Sequence, residues 1–337
     1  MQAAEALEIL RQRHLDRRES TDLFRGIISG SRSEVEIAAV LAALKTRGET
    51  PEEIAGAAEA LRESALPFPT PDYPFADTCG TGGDGTGTVN LSTAVAFTAA
   101  ELGIPVAKHG NRSVSSKCGS ADVLEKLGVK LDAAPEVSRR CLDEAGICFL
   151  LAPQYHPGVK HAMPVRRTLA TRTIFNLLGP LVNPARPTWQ LMGVYDPRLV
   201  APLAETLGLL GCKAALVVHG AGHDELVLHG SSTVATWRNG RLDRTMISPD
   251  LCGVTPAPPD ALAGGSPDEN AAWLTGLLQG RATPAQIDAV ALNVGGLAWI
   301  AGQAASISDG VSRAREVIYS GTAYRRLQQL VELSHGA

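Results

Sequence analysis

The sequence predicts an α/β protein: a small helical domain, then a larger domain built on a mostly parallel central sheet. Three observations predict it. Up to about residue 66, apolar residues recur only at helical spacing. From residue 75, short apolar runs alternate with glycine-rich turns and helical stretches, the rhythm of strand, turn and helix. Between the two lies Leu66-Pro67-Phe68-Pro69-Thr70-Pro71, which its prolines hold extended and which marks a boundary.

In the first block, Val35, Ile37, Ala38, Leu41 and Leu44 define one helix, and Ile54, Ala57, Ala58 and Leu61 define the next. The second opens on Thr50-Pro51-Glu52-Glu53: an N-cap threonine, a proline suited to the first turn, and a glutamate placed to close a capping box. Ser266-Pro267-Asp268-Glu269 and Thr283-Pro284-Ala285-Gln286 repeat the device, so the C-terminal third also holds discrete helices. Past the linker, Phe75 to Cys79 reads as a strand and Gly80 to Gly87 as a glycine-rich turn. Leu91 to Leu102 follows as a helix and Ile104 to Lys108 as the next strand. Val129 to Leu131, Ile147 to Leu151, Leu191 to Tyr195 and Ala214 to His219 are further strands.

Composition narrows the function. With 45% hydrophobic residues, 34 glycines and 4% aromatics, the chain can bury a core and make many close turns. Its 31 Lys and Arg against 35 Asp and Glu leave a net charge of −4, which argues against a general nucleic-acid or polybasic membrane binder. The six cysteines show no CxxC spacing, so reduced thiols in a cytoplasm are expected. Glu5 and Glu8 stand where a signal peptide would be basic and then apolar. Glu101 and Pro105 interrupt the longest apolar stretch, so no membrane span is expected.

Four segments carry chemistry. In Asp77-Thr78-Cys79-Gly80-Thr81-Gly82-Gly83-Asp84-Gly85, glycines after a strand let successive backbone N–H groups converge on one anion. The loop runs into Thr88-Val89-Asn90-Leu91-Ser92-Thr93, where a helix start favours phosphate. It is neither a P-loop nor a GxGxxG fingerprint. The second segment, Lys108-His109-Gly110-Asn111-Arg112-Ser113-Val114-Ser115-Ser116, ends a strand. There Lys108 and Arg112 offer charge to phosphate oxygens and the serines offer short donors. His109 is more simply a structural histidine, and no proton transfer is assigned to it. In the third, Gly220-Ala221-Gly222-His223-Asp224-Glu225, adjacent carboxylates at a strand end suit Mg2+ bridging to a phosphorylated substrate. In the fourth, Arg166, Arg167 and Arg172 are each able to hold a carboxylate, and spacing does not choose among them.

Asp77 to Asp84, Asn90 to Thr93, Lys108 to Ser116 with Gly119 to Glu125, and Arg172 to Ala185 together resemble the anthranilate phosphoribosyltransferase family. The likeness spreads over nearly the whole chain and is dense at 77–128 and 149–195. It implies a nucleoside phosphorylase/phosphoribosyltransferase-like fold and a cytoplasmic homodimer in tryptophan biosynthesis. The reaction implied is transfer of phosphoribosyl from phosphoribosyl pyrophosphate to the amine of anthranilate, with Mg2+, two ions per subunit. It also implies a discontinuous helical domain, 1–66 with about 166–186 packed on it, beside an α/β domain of 72–165 and 187–337.

Carried over by position, Gly80, Gly83, Asp84, Thr88, Asn90, Leu91, Ser92 and Thr93 surround phosphoribosyl pyrophosphate. The set continues with Lys108, His109, Gly110, Asn111, Arg112, Ser113, Val114, Ser115, Ser116 and Ser120. Gly80, Asn111 and Arg166 match the anthranilate positions. Ser92, Asp224 and Glu225 match the metal positions, and Lys108, Asp224 and Glu225 carry the catalytic electrostatics. Two departures stand out: Gly158-Val159 where Ala-Met is frequent, and Ala170 at a spot often glycine. A pyrimidine-nucleoside phosphorylase is the near rival, which Asn111, the Gly82-Gly83-Asp84 loop and the acidic pair disfavour.

Overall fold

The computed structural model of the chain describes residues 1–113 and 117–336; Val114, Ser115 and Ser116, expected at the substrate, lie outside the described residues. The chain opens with helices α1 (Ala3–Gln12), α2 (Arg17–Ile28), α3 (Glu34–Arg47) and α4 (Pro51–Glu63). The capping device read at Thr50 is present: its side chain accepts from the Glu53 amide, and the Glu53 carboxylate accepts from the Thr50 amide at 2.8 Å. The same reciprocal pair opens the helices at Ser266 and Thr283.

Then come β1 (Ala76–Gly80), α5 (Leu91–Glu101), β2 (Val106–Gly110), α6 (Ser120–Lys126), α7 (Pro135–Ala145) and β3 (Ile147–Leu151). Short helices α8 (Ala152–Tyr155), α9 (Met163–Leu169) and α10 (Phe175–Leu178) lead to β4 (Trp189–Gly193), α11 (Val200–Leu209) and β5 (Ala214–Gly220). The hairpin β6 (Ser232–Arg238) and β7 (Arg241–Ile247) follows. Helices α12 (Pro267–Leu278), α13 (Pro284–Ile300), α14 (Ile307–Ser320) and α15 (Tyr324–Ser334) end the fold.

Among the described residues the strands form one sheet in the order β3-β2-β1-β4-β5-β6-β7, parallel from β3 to β5 and antiparallel thereafter. From β1 the chain winds outward to β2 and β3, then returns past β1 to β4 and β5. The order therefore reverses between β1 and β4, and in open α/β sheets ligands bind at that point, beyond the carboxyl ends of the strands.

From β3 to β5 the sheet is buried on both faces, whereas the edge strand β7 is mostly exposed. In β5, Ala214, Leu216 and Val218 join the core with α5 and α13, whereas Ala215 and Val217 join a second core with α2 to α4, α10 and α11. Alternation along one fully apolar strand is what a covered parallel sheet requires. Phe175 of α10 meets Phe24 of α2 with ring centroids 5.9 Å apart, so the segment after Arg166 packs on the N-terminal helices.

Two sequence expectations need correction. Val129 to Leu131 is not a strand: the Val129 amide closes the end of α6 on Leu124, and the Lys130 amide goes to Ser334 Oγ of α15 at 3.0 Å. Buried apolar side chains there serve a helix-to-helix connection. The β6–β7 hairpin, absent from the expected strands, turns at Asn239-Gly240, both with positive φ, as a tight two-residue hairpin turn demands.

Candidate active site

Three adjacent strands end in glycine around the acidic pair. A Cβ on Gly80 of β1 would lie 2.3 Å from Asp224 Oδ2, one on Gly193 of β4 1.5 Å from the Asp224 carbonyl oxygen, and one on Gly220 of β5 2.4 Å from the Glu225 carbonyl oxygen. Only hydrogen fits at these Cα atoms, and the missing side chains let residues 224–225 settle across the strand ends. Gly193→Ala is therefore expected to displace the pair and to lower Tm by roughly 5 °C or more. A Tm equal to that of the parent, read by calorimetry, would show that the pair sits elsewhere.

Asp224 and Glu225 line a small pocket with Thr78, Gly80, Ser92 and Asn293. Asn293, inside the apolar helix α13, holds the segment: its Oδ1 accepts from the Leu226 amide at 3.1 Å and its Nδ2 donates to the Leu226 carbonyl at 2.9 Å. The Gly82 amide donates to Asp224 Oδ2 at 2.9 Å, so the glycine-rich loop already presents an N–H toward the pocket.

Burial first, and then the neighbouring Asp84 carboxylate, push the Asp224 carboxyl up to about 7. Burial and the charge of Asp224 push Glu225 well above the carboxylate range. Two adjacent carboxylates held against their own repulsion are a donor set that favours a cation. Among the described residues no group of three or more His, Cys, Asp or Glu side chains converges on one point. The two carboxylates beside the Ser92 hydroxyl fit Mg2+, which takes one or two carboxylates and completes its shell with water and substrate phosphate.

A pH dependence follows. Both carboxyls are held above the ordinary carboxylate range, so if the pair holds Mg2+ its affinity is expected to weaken, by up to roughly tenfold per pH unit for each proton taken up, as pH falls through that raised range. Calorimetric Mg2+ titrations at pH 6 and pH 8 check this; equal affinities would contradict it.

Lys108 is buried, and its ammonium donates to the Thr78 carbonyl and, at 3.1 Å, to Ser92 Oγ. Burial lowers its pKa, opposed by Asp77, Cys79, Glu225 and Asp224. The lysine therefore lies beneath the pocket, next to the acidic pair, and is not a free cation on an exposed loop. Arg112 is ion-paired within the protein. Its guanidinium makes two 2.7 Å bonds to Glu125 and a third contact to Asp122 at 3.3 Å, so its charge is already matched.

His109 is structural in its side chain. Its Nδ1 faces the Gly179 carbonyl at 3.1 Å, its ring meets His156 edge-on at 5.3 Å, and burial lowers its pKa to about 3. Of the expected site residues, the structure brings Gly80, Leu91, Ser92, Asp224 and Glu225 into one pocket with Lys108 below it. Asp84 accepts from the Thr86 hydroxyl at 2.8 Å, and Gly83 lies exposed in the same loop. Thr88 pairs with Ala263, Asn90 bonds the Cys118 carbonyl and Asn270, and Thr93 is buried with its hydroxyl unpartnered.

Asn111 and Ser120 stand together at the end of β2, where the Asn111 carbonyl accepts from Ser120 Oγ at 3.4 Å. Gly110 lies under Ser120 and Phe149, too close for a side chain, and the Ser113 amide donates to Asp122 at 2.9 Å. Arg166 is half-buried, with its guanidinium 5.4 Å from the Phe175 ring centre and one nitrogen near Met163 Sδ; no carboxylate pairs with it among the described residues.

Residues 72–324 match the family model described as glycosyl transferase family, a/b domain, and residues 6–65 match its helical bundle domain. The anthranilate phosphoribosyltransferase of Sorangium cellulosum is 60% identical over 312 residues, covering 93% of this chain and 90% of that protein. This chain belongs to the anthranilate phosphoribosyltransferase family.

The family member from Aeromonas hydrophila is 53% identical over 95% of this chain and 94% of its own. Among solved structures, the anthranilate phosphoribosyltransferase of Thermus thermophilus superposes with a TM-score of 0.94 at 44% identity, covering 99% of this chain and 100% of that one. That of Saccharomyces cerevisiae, solved in complex with phosphoribosyl pyrophosphate and Mg, gives 0.90 at 26% identity, covering 99% and 98%.

Both departures from the anthranilate phosphoribosyltransferase pattern have a structural reading. Ala170 ends α9 with φ 46°, the left-handed conformation in which glycine is strain-free. A Cβ on Gly158 would meet Ile28 Cγ2 at 2.4 Å, so glycine lets the end of α2 approach this segment. Gly193 and Asn293 are pocket residues missing from the sequence-derived set. A glycine inside an apolar strand and a lone asparagine in an apolar helix were the signals for them.

Proposed function

We propose that the chain transfers 5-phosphoribosyl from phosphoribosyl pyrophosphate to anthranilate, giving N-(5-phosphoribosyl)anthranilate and pyrophosphate. The observation that carries the reading is the meeting of the glycine-rich loop, the Asp224-Glu225 pair and Lys108 at the sheet's reversal point. The loop amides and the start of α5 receive the diphosphate. Asp224 and Glu225, with the Ser92 hydroxyl, would hold Mg2+, two ions per subunit, and bound there the metal neutralises charge growing on the diphosphate. Lys108 adds a fixed positive charge beneath the same oxygens.

Arg166, with no carboxylate partner among the described residues, takes the anthranilate carboxylate and aims the amine at C1 of the ribose, with Asn111 and Gly80 at its side. The amine attacks the face opposite the departing diphosphate, and C1 inverts. The amine loses its proton late, after the C–N bond forms; positioning supplies much of the rate, and these residues act by binding and electrostatics, with no general base assigned among them. We further place the chain in the cytoplasm as a homodimer, with residues 1–66 and about 166–186 as its helical domain. No helix of the described residues is long and apolar enough to cross a membrane.

The test is to mix the protein with Mg2+, phosphoribosyl pyrophosphate and anthranilate and follow anthranilate fluorescence. It is expected to fall only when all three are present. Persistent fluorescence, or turnover of a pyrimidine nucleoside with phosphate, would refute the proposal.

A further inference from the structure

We infer that Arg172 is a positioning residue that latches the glycine-rich loop, an inference that rests on the transfer reaction proposed above. The ends of the loop are fixed by backbone. The Thr81 amide donates to the Gly193 carbonyl at 2.9 Å, its hydroxyl accepts from the Tyr195 amide at 3.1 Å, and the Gly264 amide donates to the Gly87 carbonyl at 2.8 Å. The middle has little of its own to hold it. Gly82, Gly83, Gly85 and Gly87 all have positive φ, and Asp84 bonds within the loop to Thr86.

Two anchors reach this middle from outside. One is Asp224, which accepts from the Gly82 amide and lies against the Asp84 carboxyl. The other is Arg172, whose Nη2 donates to the Gly83 carbonyl while its guanidinium lies 3.8 Å from the centre of the Tyr195 ring. The anchors differ in what happens when the metal arrives. Asp224 is the carboxylate proposed to hold it, so Mg2+ competes with the Gly82 amide for the same oxygens. Arg172 has no such competitor, and its bond to the Gly83 carbonyl holds the loop by its backbone.

The latch is itself anchored. Lys45 of α3 donates to the Arg172 carbonyl at 2.8 Å and to Thr171 Oγ1 at 2.6 Å. Arg172 thus ties the glycine-rich loop to α3 of the N-terminal helices.

The experiment compares the parent with Arg172→Ala and Arg172→Lys. Amide hydrogen exchange over residues 80–88 is measured without metal and with Mg2+, beside steady-state kinetics and melting temperature. In Arg172→Ala, exchange across the loop is expected to speed up by roughly fivefold, more with Mg2+ than without it, because the metal then removes the second anchor. KM for phosphoribosyl pyrophosphate should rise by about tenfold and KM for anthranilate by less than about twofold. Arg172→Lys, which keeps a donor but not the flat contact with Tyr195, should fall between. Arg172 is exposed, so an unchanged melting temperature is expected. Unchanged exchange in Arg172→Ala overturns the latch, as does an equal rise in both KM values. If the parent fails to consume anthranilate, the proposed reaction fails while the exchange data still judge the latch.

Discussion

Replacing Asp224 with Asn is expected to lower Mg2+-supported kcat/KM by at least about 100-fold, the scale on which removal of one preorganised charge-stabilising group acts. The amide keeps the shape of the side chain, and its oxygen can still accept from the Gly82 amide, so the loop contact survives. What disappears is the negative charge proposed to hold the metal. Loss of activity with normal folding therefore separates a metal-holding role from a structural one. Raising Mg2+ should recover part of the loss if affinity has weakened. Activity equal to that of the parent across the whole Mg2+ titration would remove Asp224 from the metal site.

Arg166→Ala is expected to raise KM for anthranilate by roughly 10- to 150-fold, the equivalent of about 1.5–3 kcal/mol for a charge-assisted hydrogen-bonding group. KM for phosphoribosyl pyrophosphate should stay within about threefold of the parent value. The reason lies in what surrounds the guanidinium. Met163 and the Phe175 ring are its neighbours, and neither neutralises it, so an arriving carboxylate meets a charge that no acid among the described residues pairs with. Arg112 is the contrast: Glu125 and Asp122 already occupy it, and its loss should leave the anthranilate KM unchanged. Equal increases in both substrates' KM values in Arg166→Ala would remove this residue from the aromatic site.

What the sequence disclosed divides along a physical line. Features written in adjacent residues were legible: the Thr50 cap, the glycine-rich turn after β1, the helix beginning at Leu91, and the apolar run of β5 with its acidic pair. Each depends on local backbone chemistry or on unbroken burial. Features decided by distant partners were not. Nothing near Arg112 announces that Glu125 will neutralise it, and nothing near Lys108 tells that its ammonium turns inward to Thr78 and Ser92. Val129 and Leu131 read as a strand because their side chains are buried, yet their backbone closes a helix and meets α15. The missed hairpin is different: Asn239-Gly240 carried a local signal for it. Arg166 and Arg172 were equal candidates by spacing. Their surroundings separate them, one beside Phe175 with no acid nearby, the other on Gly83 and Tyr195.

The central claim is that the pocket at the β1–β4 reversal holds a metal-neutralised diphosphate. Anomalous diffraction from crystals soaked with Mn2+ in place of Mg2+, together with phosphoribosyl pyrophosphate, tests it most directly. A metal peak is expected beside the carboxylates of Asp224 and Glu225, with diphosphate density against the amides of the glycine-rich loop. Metal peaks confined to other surfaces, or density for the sugar phosphate away from the ends of β1, β4 and β5, would contradict it.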